Sequence, residues 1–259
     1  MAVSGHSITV ASYNMRKAIG TDRRRNPQRI LQVLKEVHAD VVALQEADKR
    51  FGGRASAVPH ELIDSHGLYK PVPLGVRHKR PLEKARMHAE RLLNVDTRNI
   101  GWHGNALLVK REIGILDCQT LKLPTLEPRG AVRVDLEIDG RRVRIAGMHL
   151  DLSGLRRRQQ VRTILGHLAD CDGQLPTVLM GDFNEWSRLG GCLHEFHHAD
   201  WRVLAPGRSF PSRRPVAMLD RIVVSDGCVV QRCGAHHRAL ATVASDHLPV
   251  FARIGLPKI

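Results

Sequence analysis

Short apolar runs recur along almost the whole chain, and they constrain the fold more than any other feature of the sequence. None of them is longer than seven residues, which suits strands and is too short for an ordinary helix. The run at 132–138 alternates apolar and polar residues, as strands with one buried face do. We therefore predict strands at 8–11, 41–44, 106–109, 132–138, 143–148, 178–180, 222–224 and 248–254.

Two longer segments have the apolar spacing of helices instead. The first covers residues 27–37, where Asn26 can cap the helix and Pro27 suits its first position. The second covers residues 155–168. Apolar side chains recur on one face of each segment: Ile30, Leu31, Leu34 and Val37 in the first, and Val161, Ile164, Leu165 and Leu168 in the second. Many strands with a few interleaved helices predict an α/β protein in which two sheets pack face to face with helices outside.

The length of the chain fits one domain. A chain of 259 residues can bury one substantial core, so we expect a single domain over residues 1–259. The least regular region is 75–102, where a basic run that includes Arg77, Lys79 and Arg80 precedes a helix-like stretch at 81–93. We interpret this region as an insertion-like segment beside the functional site.

The charge balance favours polyanionic partners. Lys and Arg number 40 against 26 Asp and Glu, which gives a formal net charge of +14. Such a charge attracts nucleic acid through counterion release, and it attracts anionic phospholipid surfaces as well. We expect nucleic acid first, with DNA ahead of RNA, and anionic phospholipid second. The alternative is a basic face that is only solvated.

The sequence gives no sign of secretion or of membrane insertion. Its five cysteines are scattered, with no Cys-x-x-Cys pair, which indicates reduced thiols rather than a disulfide framework. The first twelve residues lack a basic stretch followed by a long apolar one. We therefore expect a cytoplasmic protein with no obligate protein partner.

Six short motifs place polar residues at the ends of predicted strands. They are Ser12-Tyr13-Asn14, Leu44-Gln45-Glu46, Met148-His149-Leu150-Asp151, Gly181-Asp182-Phe183-Asn184, Met218-Leu219-Asp220-Arg221-Ile222 and Ser245-Asp246-His247. In this order and spacing they resemble the endonuclease/exonuclease/phosphatase superfamily, the DNase I-like group of divalent-metal phosphodiesterases, over roughly residues 8–253. The resemblance implies a four-layered α/β sandwich of two packed, mostly antiparallel sheets flanked by helices, in a small bacterial-type member of the group.

The resemblance also implies a metal site. Glu46 ends an otherwise apolar strand, where a charge is costly unless a cation compensates it, and in the family this position is the principal metal ligand. Asn14 and Asp246 would complete the protein ligands. Mg²⁺ prefers one or two carboxylates together with waters and substrate oxygens, and Mn²⁺ accepts the same ligands. The alternative is that Glu46 pairs with a nearby arginine such as Arg16.

The remaining motif residues resemble the catalytic residues of this superfamily. His247 is the candidate base, because imidazole titrates near neutrality, and the resemblance implies that Asp220 orients it. Asp182 can position the attacking water, while Asn184 can donate to a phosphoryl oxygen. His149, as an imidazolium, could bond a non-bridging oxygen or protonate the leaving group. Whether Asp182 or His247 takes the proton stays open.

Several other residues are candidates for substrate binding. Asn105 and Arg129 lie in segments that resemble parts of small bacterial superfamily members, although a structural ion pair is an equal alternative for Arg129. The basic run with Arg77, Lys79 and Arg80 could grip successive phosphates. The arginines at 156–158 are interpreted as a solvated face at the start of a helix, where cations oppose the helix dipole.

The sequence therefore predicts a divalent-metal-dependent phosphodiester hydrolase, with DNA or RNA as the leading substrate. The alternative substrate is phospholipid, as in sphingomyelinase-like members. The histidine in His149-Leu150-Asp151 resembles sphingomyelinase-like, DNase I-like and tyrosyl-DNA phosphodiesterase-like members rather than apurinic-site endonucleases. A noncatalytic polyanion-binding module is the least favoured alternative, because each acid, base and ligand of the motifs is present.

Overall fold

Two β-sheets packed face to face form the centre of the structure, a computed structural model that describes residues 7–48, 56–74, 100–125, 129–197 and 200–256. The strands of the first sheet are β1 (Ser7–Asn14), β2 (Val41–Gln45), β3 (Tyr69–Pro71), β4 (Gly101–Trp102), β5 (Asn105–Lys110), β12 (Val229–Ala235) and β13 (Val250–Gly255). Those of the second are β6 (Gly114–Lys122), β7 (Gly130–Ile138), β8 (Arg141–His149), β9 (Thr177–Asp182), β10 (Trp201–Val203) and β11 (Asp220–Ser225).

Both sheets are mostly antiparallel, as predicted. The order in the first sheet is β12-β13-β1-β2-β5-β3, with β4 also paired to β5, and the order in the second is β10-β11-β9-β8-β7-β6. Each sheet has one parallel pair near its middle: β1 with β2, and β8 with β9. Because the carboxyl ends of parallel neighbours meet at the same edge, residues that follow these four strands come together in pairs.

Helices cover the outer faces of both sheets and complete the predicted four layers. Helices α1 (Pro27–Val37), α2 (His60–His66) and α4 (Ala239–Ala244) pack on the first sheet. Helix α3 (Gly154–Ala169) and a 3₁₀ helix at Gly191–Phe196 pack on the second. A third apolar cluster fills the space between the sheets, with side chains from both of them.

The two helices predicted from the sequence are present where they can be compared. The Oδ1 atom of Asn26 accepts a hydrogen bond from the backbone N–H of Arg29 at 3.0 Å, so Asn26 caps α1 as expected. The helix predicted at 155–168 extends one residue further at each end, to Gly154–Ala169. The helix-like stretch at 81–93 and the basic run before it, including Arg77, Lys79 and Arg80, lie outside the described residues.

The strands that the sequence analysis missed lie mainly at the edges of the sheets. β6 and β12 are the outermost strands on one side of each sheet, and most of their side chains are partly or fully exposed. An edge strand buries little apolar surface and often carries charged residues that discourage pairing with other chains. For this reason β6 and β12 lack the apolar run that marks a central strand.

Two expectations about thiols and membrane helices can be compared with the structure. All five cysteines are free thiols, and Cys192 and Cys228 are buried. Within the described part of the chain, no helix is both long and apolar enough to cross a membrane.

The space between the sheets changes from apolar to polar at one end. In β9, Met180 points into the core between the sheets, and Asp182 follows two residues later on the same face. The same change occurs at the corresponding end of the neighbouring strands. Buried polar side chains collect there: Asn14, Gln45, Asn105, His149, Asp182 and Asp220. We call this edge of the sandwich the catalytic end, after the predicted catalytic residues that it carries.

Candidate active site

Strand register places three of the predicted catalytic residues side by side. His149 on β8 is the register partner of Asp182 on β9, and Asp182 is in turn the partner of Asp220 on β11. All three side chains are buried. Their alignment follows from the parallel pairing of β8 with β9 and the antiparallel pairing of β9 with β11, because a shift of one residue would turn each side chain to the other face.

The carboxylate of Asp182 is the centre of the site. Its Oδ2 atom accepts a hydrogen bond from Nδ2 of Asn14 at 2.9 Å, which joins the two sheets. The same oxygen lies 3.4 Å from Nε2 of His149 and 3.8 Å from Nε2 of His247. Its other oxygen, Oδ1, accepts from the backbone N–H of Asn184 at 3.0 Å. The structure therefore brings five of the predicted site residues into one group.

Asn184 is held at the edge of this group. Its backbone has φ 50°, in the left-handed region that asparagine tolerates better than most residues. Its Nδ2 atom donates to the carbonyl oxygen of Leu150 at 2.9 Å. Because an amide nitrogen carries two hydrogens, one donor remains for a substrate oxygen.

Asp220 is hydrogen-bonded to His247, the residue that the resemblance predicts it to orient. Nδ1 of His247 donates to Oδ2 of Asp220 at 2.8 Å, and Oγ of Ser209 donates to the same oxygen at 2.5 Å. The ring of Phe210 lies 4.9 Å from the His247 ring, centroid to centroid. These contacts leave Nε2 of His247 directed toward Asp182. Ser209 was not predicted as a site residue, because its contact with Asp220 arises only in the folded chain.

The surroundings of His149 and His247 shift their pKa values in opposite directions. Burial lowers the pKa of His149 to about 3, although Asp182 acts in the opposite direction. Burial would also lower the pKa of His247, but the carboxylates of Asp220 and Asp182 outweigh it and raise that pKa to about 10. At neutral pH the environment therefore favours a neutral His149, where the sequence analysis considered an imidazolium, and a protonated His247.

The three predicted metal ligands surround the end of β1. Asn14 is its last residue, and Glu46 directly follows β2, which pairs with β1. The hydroxyl of Ser245 donates to the carbonyl oxygen of Asn14 at 2.7 Å, which places Asp246 on the other side of that residue. The side chains of Glu46 and Asp246 are partly exposed at the mouth of the site.

Two basic side chains contact these carboxylates. Lys17 forms an ion pair with Glu46, and Nε of Arg16 lies 3.2 Å from Oδ2 of Asp246. The sequence analysis considered Arg16 as the partner of Glu46, but the structure places Lys17 there. Arg16, Lys17 and Ala18 all have positive φ, so this turn directs both basic side chains toward the end of β1.

The donor atoms at the catalytic end fit a hard divalent cation. Asn14, Glu46 and Asp246 offer amide and carboxylate oxygens, the ligands that such cations prefer. A second group consists of Asp182, Asp220 and His247, whose ligand atoms all lie within 4.8 Å of one another. Oδ1 of Asp220 is buried and has no hydrogen-bond partner among the described residues. A cation at the first group would compensate the partly exposed carboxylates of Glu46 and Asp246, and a cation at the second would compensate the buried carboxylates of Asp182 and Asp220.

The predicted substrate-binding residues differ in where the structure places them. Nδ2 of Asn105 donates to the carbonyl oxygen of Gly130 at 2.9 Å, so this side chain supports the start of β7. Arg129, which precedes Gly130, is half-buried, and its positive charge contributes to the low pKa of His149. Arg129 therefore lies near the catalytic group. Arg77, Lys79 and Arg80 are outside the described residues, so their role stays a prediction.

Arg157 departs from the solvated face that the sequence predicted for residues 156–158. It is buried, and its Nη2 lies 3.1 Å from Oε2 of Glu185. Oε2 of Glu185 also accepts from the backbone N–H of Cys192 at 3.1 Å. The ion pair connects α3 to the loop that follows Asp182. The local sequence does not distinguish Arg157 from Arg156 and Arg158. Arg157 is buried because it pairs with Glu185, which is 28 positions away in the chain.

The chain is similar in sequence to an uncharacterised protein, YbhP of Escherichia coli strain K12. The two are 27% identical over 166 residues, which span 60% of this chain and 64% of YbhP. The match therefore covers less than two thirds of that relative's length.

Solved structures share the fold over nearly the whole chain, and a family model matches the sequence. A mannosyl-6-phosphatase of Bacteroides thetaiotaomicron has a TM-score of 0.72 at 18% identity, with 95% of this chain and 99% of that chain covered. The human Nocturnin catalytic domain with bound sulfate has a TM-score of 0.68 at 21% identity, with 96% and 94% covered. The model of the Endonuclease/Exonuclease/phosphatase family matches residues 11–247. Since that span covers most of the chain and contains every catalytic-end residue described above, the chain belongs to the endonuclease/exonuclease/phosphatase family.

Proposed function

We propose that this chain is a divalent-metal-dependent phosphodiesterase. One observation carries the proposal: Asn14, His149 and His247 all approach Oδ2 of Asp182 within 3.8 Å, although they come from distant parts of the chain. Hydrolysis of a phosphodiester needs an activated water, stabilisation of charge on the phosphoryl oxygens and help for the leaving group. Side chains for each task lie at the catalytic end.

The proposal places the cation on Asn14, Glu46 and Asp246, with Mg²⁺ as the expected ion and Mn²⁺ as a substitute. A bound divalent ion would stabilise negative charge on the phosphoryl oxygens. Glu46 contributes a full carboxylate next to the neutral oxygen of Asn14. Lys17 and Arg16 already contact Glu46 and Asp246, so they are the nearest basic side chains that could contact a substrate phosphate once a cation occupies the carboxylates.

Proton transfer falls to Asp182 and His247. Asp220 fixes the Nδ1–H of His247, so that Nε2 faces Oδ2 of Asp182 at 3.8 Å. A water bonded to Oδ2 of Asp182 can be oriented for attack on phosphorus. Its proton can pass to Asp182, or to Nε2 of His247 when that imidazole is in its neutral form. Asp220 then stabilises the charge of the imidazolium.

The substrate phosphate would lie against the outer edge of this group. Asn184 retains one amide hydrogen for a phosphoryl oxygen, and Arg129 is close enough to contribute positive charge. His149, with its Nε2 beside Asp182, lies where it can donate a hydrogen bond to the phosphate or the leaving oxygen. Each of these roles can be tested by substitution.

The sequence-based expectation for the substrate is nucleic acid, DNA ahead of RNA. The net charge of +14 supports it, because basic groups near a cleft bind successive phosphates. A second candidate is phospholipid. It has specific support in the exposed apolar side chains around the catalytic end, such as Trp186 at 65% exposure.

Glu46→Gln tests the proposed chemistry. With bis(p-nitrophenyl) phosphate and excess Mg²⁺, we expect activity to fall by at least about 100-fold, comparable to the loss of one transition-state stabilising group. EDTA should abolish the wild-type activity, and Mn²⁺ should restore it. Glu112→Gln is the matched control, because Glu112 is exposed and lies on the turn between β5 and β6. Equal rates for wild type and Glu46→Gln would refute the assignment of Glu46.

A substrate panel addresses the class of phosphodiester. Duplex DNA, single-stranded DNA, RNA and phospholipid vesicles would each be incubated with the protein and Mg²⁺, with EDTA controls. Oligonucleotide products would support the nuclease expectation. Release of a phospholipid headgroup alone would support the second candidate.

A further inference from the structure

Most of the exposed large apolar side chains of the described residues lie at the catalytic end. Seven are strongly exposed, and five of these belong to three loops or to the first turn of the helix that follows one of them: Leu152 at 69%, Leu155 in the first turn of α3 at 69%, Trp186 at 65%, Leu189 at 74% and Val216 at 63%. We call these five residues the apolar rim. The other two, Leu116 and Val229, lie on the edge strands β6 and β12. Such clustering marks an interaction surface rather than scattered exposure.

Each of the three loops joins a strand end that carries a catalytic residue. The first loop follows His149 and leads into α3, and the second follows Asp182. The third lies before Asp220, the first residue of β11. The residues of the apolar rim therefore lie on segments that leave or enter this edge of the sandwich, and Leu189 also lines a depression with Trp201 and Val203 of β10.

Arg157 connects the first two loops. Its Nη1 atom donates to the carbonyl oxygen of Leu152 at 2.6 Å, and its Nη2 atom donates to Oε2 of Glu185 at 3.1 Å. Glu185 directly precedes Trp186. The buried guanidinium therefore fixes the backbone under Leu152 and Trp186, and both side chains are left in solvent.

Arg221 connects the second loop to the third. It is fully buried, and its Nη2 atom donates to the carbonyl oxygen of Ser187 at 3.0 Å, while Nη1 contacts Sδ of Met218 at 2.8 Å. In addition, the ring of Trp186 packs edge to face on Phe210, 6.3 Å between centroids. Buried contacts therefore hold the three loops together. The apolar side chains of the rim remain exposed on a backbone that these contacts fix.

The same loops are strongly basic. Residues 150–158, 184–190 and 205–218 contain seven arginines, no lysine and two acidic residues. One of the acidic residues, Glu185, is buried against Arg157. Arg158, Arg188, Arg208, Arg213 and Arg214 are exposed. The surface therefore combines aliphatic side chains, an exposed indole and positive charge.

This combination fits an anionic phospholipid bilayer better than a nucleic acid. Bases stack on aromatic rings, but leucine and valine offer them no such contact. Aliphatic side chains gain free energy when they enter the boundary between headgroups and acyl chains, tryptophan favours the same depth, and arginines pair with anionic headgroups. We infer that the apolar rim docks this protein on anionic phospholipid membranes.

Docking in this way would present the catalytic end to the lipid headgroups. The inference rests on the proposed phosphodiesterase function where it names the substrate class, namely the phosphodiester of a membrane phospholipid. The docking itself can be measured without turnover. A failure of the inference can therefore be distinguished from a failure of the proposed chemistry, which is tested on a water-soluble diester.

Vesicle binding of the full chain tests the inference. Sedimentation with vesicles of phosphatidylcholine and phosphatidylglycerol should show binding that weakens when phosphatidylglycerol is omitted. The Leu152→Ser/Leu155→Ser double variant and Trp186→Ala should each bind about tenfold more weakly, as expected when a large apolar side chain no longer enters the bilayer. The Leu116→Ser/Val229→Ser double variant is the matched control, since it changes two exposed apolar residues outside the rim and should bind as wild type.

Tryptophan fluorescence reports the orientation of the bound protein. Brominated lipids in the same vesicles should quench the wild type, and most of this quenching should be lost in Trp186→Phe, since Trp102 and Trp201 are less exposed. The inference is overturned if wild type does not bind, if rim and control variants bind equally, or if quenching is unchanged in Trp186→Phe. Binding of an oligonucleotide that depends on Trp186, without vesicle binding, would overturn it in favour of a nucleic-acid surface.

Discussion

The two buried carboxylates at the catalytic end differ in what they contact. Asp182 faces Asn14 and both histidines, whereas Asp220 is bonded to His247 and Ser209. In the proposed mechanism Asp220 therefore acts through His247, and Asp182 is the carboxylate beside the attacking water and the phosphate. The same residue type has two roles because its neighbours differ.

Asp220→Asn tests whether activity depends on the orientation of His247 by Asp220. The amide has nearly the same volume, but it can place an N–H against Nδ1 and favour the wrong tautomer. We expect hydrolysis of bis(p-nitrophenyl) phosphate to fall by about 10²–10⁴-fold, the usual contribution of general acid–base catalysis. Rates are compared below the thermal unfolding midpoint of the variant, which should fall because the carboxylate that raises the pKa of His247 is lost. Asp226→Asn, an exposed position, serves as control. Activity within twofold of wild type, a margin of about 0.4 kcal/mol, would contradict the role of Asp220.

The Glu185–Arg157 pair makes stability depend on pH. Although burial acts in the opposite direction, backbone N–H donors and Arg157 hold the pKa of Glu185 below its ordinary value of 4.5. A lowered folded-state pKa stabilises the protein above the unfolded value, and this stabilisation is lost as pH falls through the folded value. The pair should therefore contribute fully at neutral pH and progressively less in acid.

Glu185→Gln tests this dependence. It leaves Arg157 buried without a charged partner, so we expect the free energy of unfolding at pH 7 to fall by about 3–5 kcal/mol. Urea denaturation at a series of pH values should show that the difference in free energy of unfolding between the variant and the wild type becomes smaller below the ordinary pKa of glutamate. Glu112→Gln should follow the wild type throughout. A gap that stays constant with pH would mean that the charge of Glu185 is not the cause.

Two parallel strand pairs, β1 with β2 and β8 with β9, bring the functional residues to one edge. The second pair depends on close backbone contact, because a Cβ atom at Gly181 would clash with the carbonyl oxygen of Met148. Gly181 and Met148 directly precede Asp182 and His149. The distance between β8 and β9 at Gly181 therefore controls the distance between His149 and Asp182.

Gly181→Ala should separate β8 from β9 at the site. We expect a loss of about 1–3 kcal/mol in the free energy of unfolding from overpacking, together with a fall in activity. Gly166→Ala is the contrasting change, because Gly166 is exposed in α3 with nothing near its Cβ position, and alanine should stabilise the helix by about 0.5–1 kcal/mol. Both are measured by urea denaturation. Equal stability of Gly181→Ala and wild type would contradict the close contact.

Central and edge elements differed in how well the sequence predicted them. The predicted central strands and the helix at Pro27–Val37 are present, since their apolar spacing directly reflects burial. β6 and β12 were missed because they bury little. The short helices α2 and α4 were missed as well, because six or seven residues give too few turns for a periodic pattern.

At the scale of the whole molecule, the charge of +14 predicts salt-sensitive binding of polyanions. Charge reversal of Arg77, Lys79 and Arg80 should weaken oligonucleotide binding and reduce the slope of log Kd against log salt by about one unit for each lost phosphate contact. Lys70, Arg111 and Arg142 lie at the end of the sandwich away from Asp182. Reversing their charges changes the net charge by the same amount, so this variant controls for net charge alone. An unchanged slope would mean that the run at 77–80 is only solvated.

The sequence by itself determined which residues end the strands, and it predicted the chemistry that they carry. Period-two alternation and local motifs placed Asn14, His149, Asp182 and Asp220 at strand ends, because those signals depend only on near neighbours in the chain. The tertiary structure decided their partners. Asn14 and Asp182 are 168 positions apart, so their contact depends on which sheets pack together. For the same reason the Lys17–Glu46 pair, the bond from Ser209 to Asp220, the burial of Arg157 and the opposite pKa shifts of the two histidines required the assembled fold.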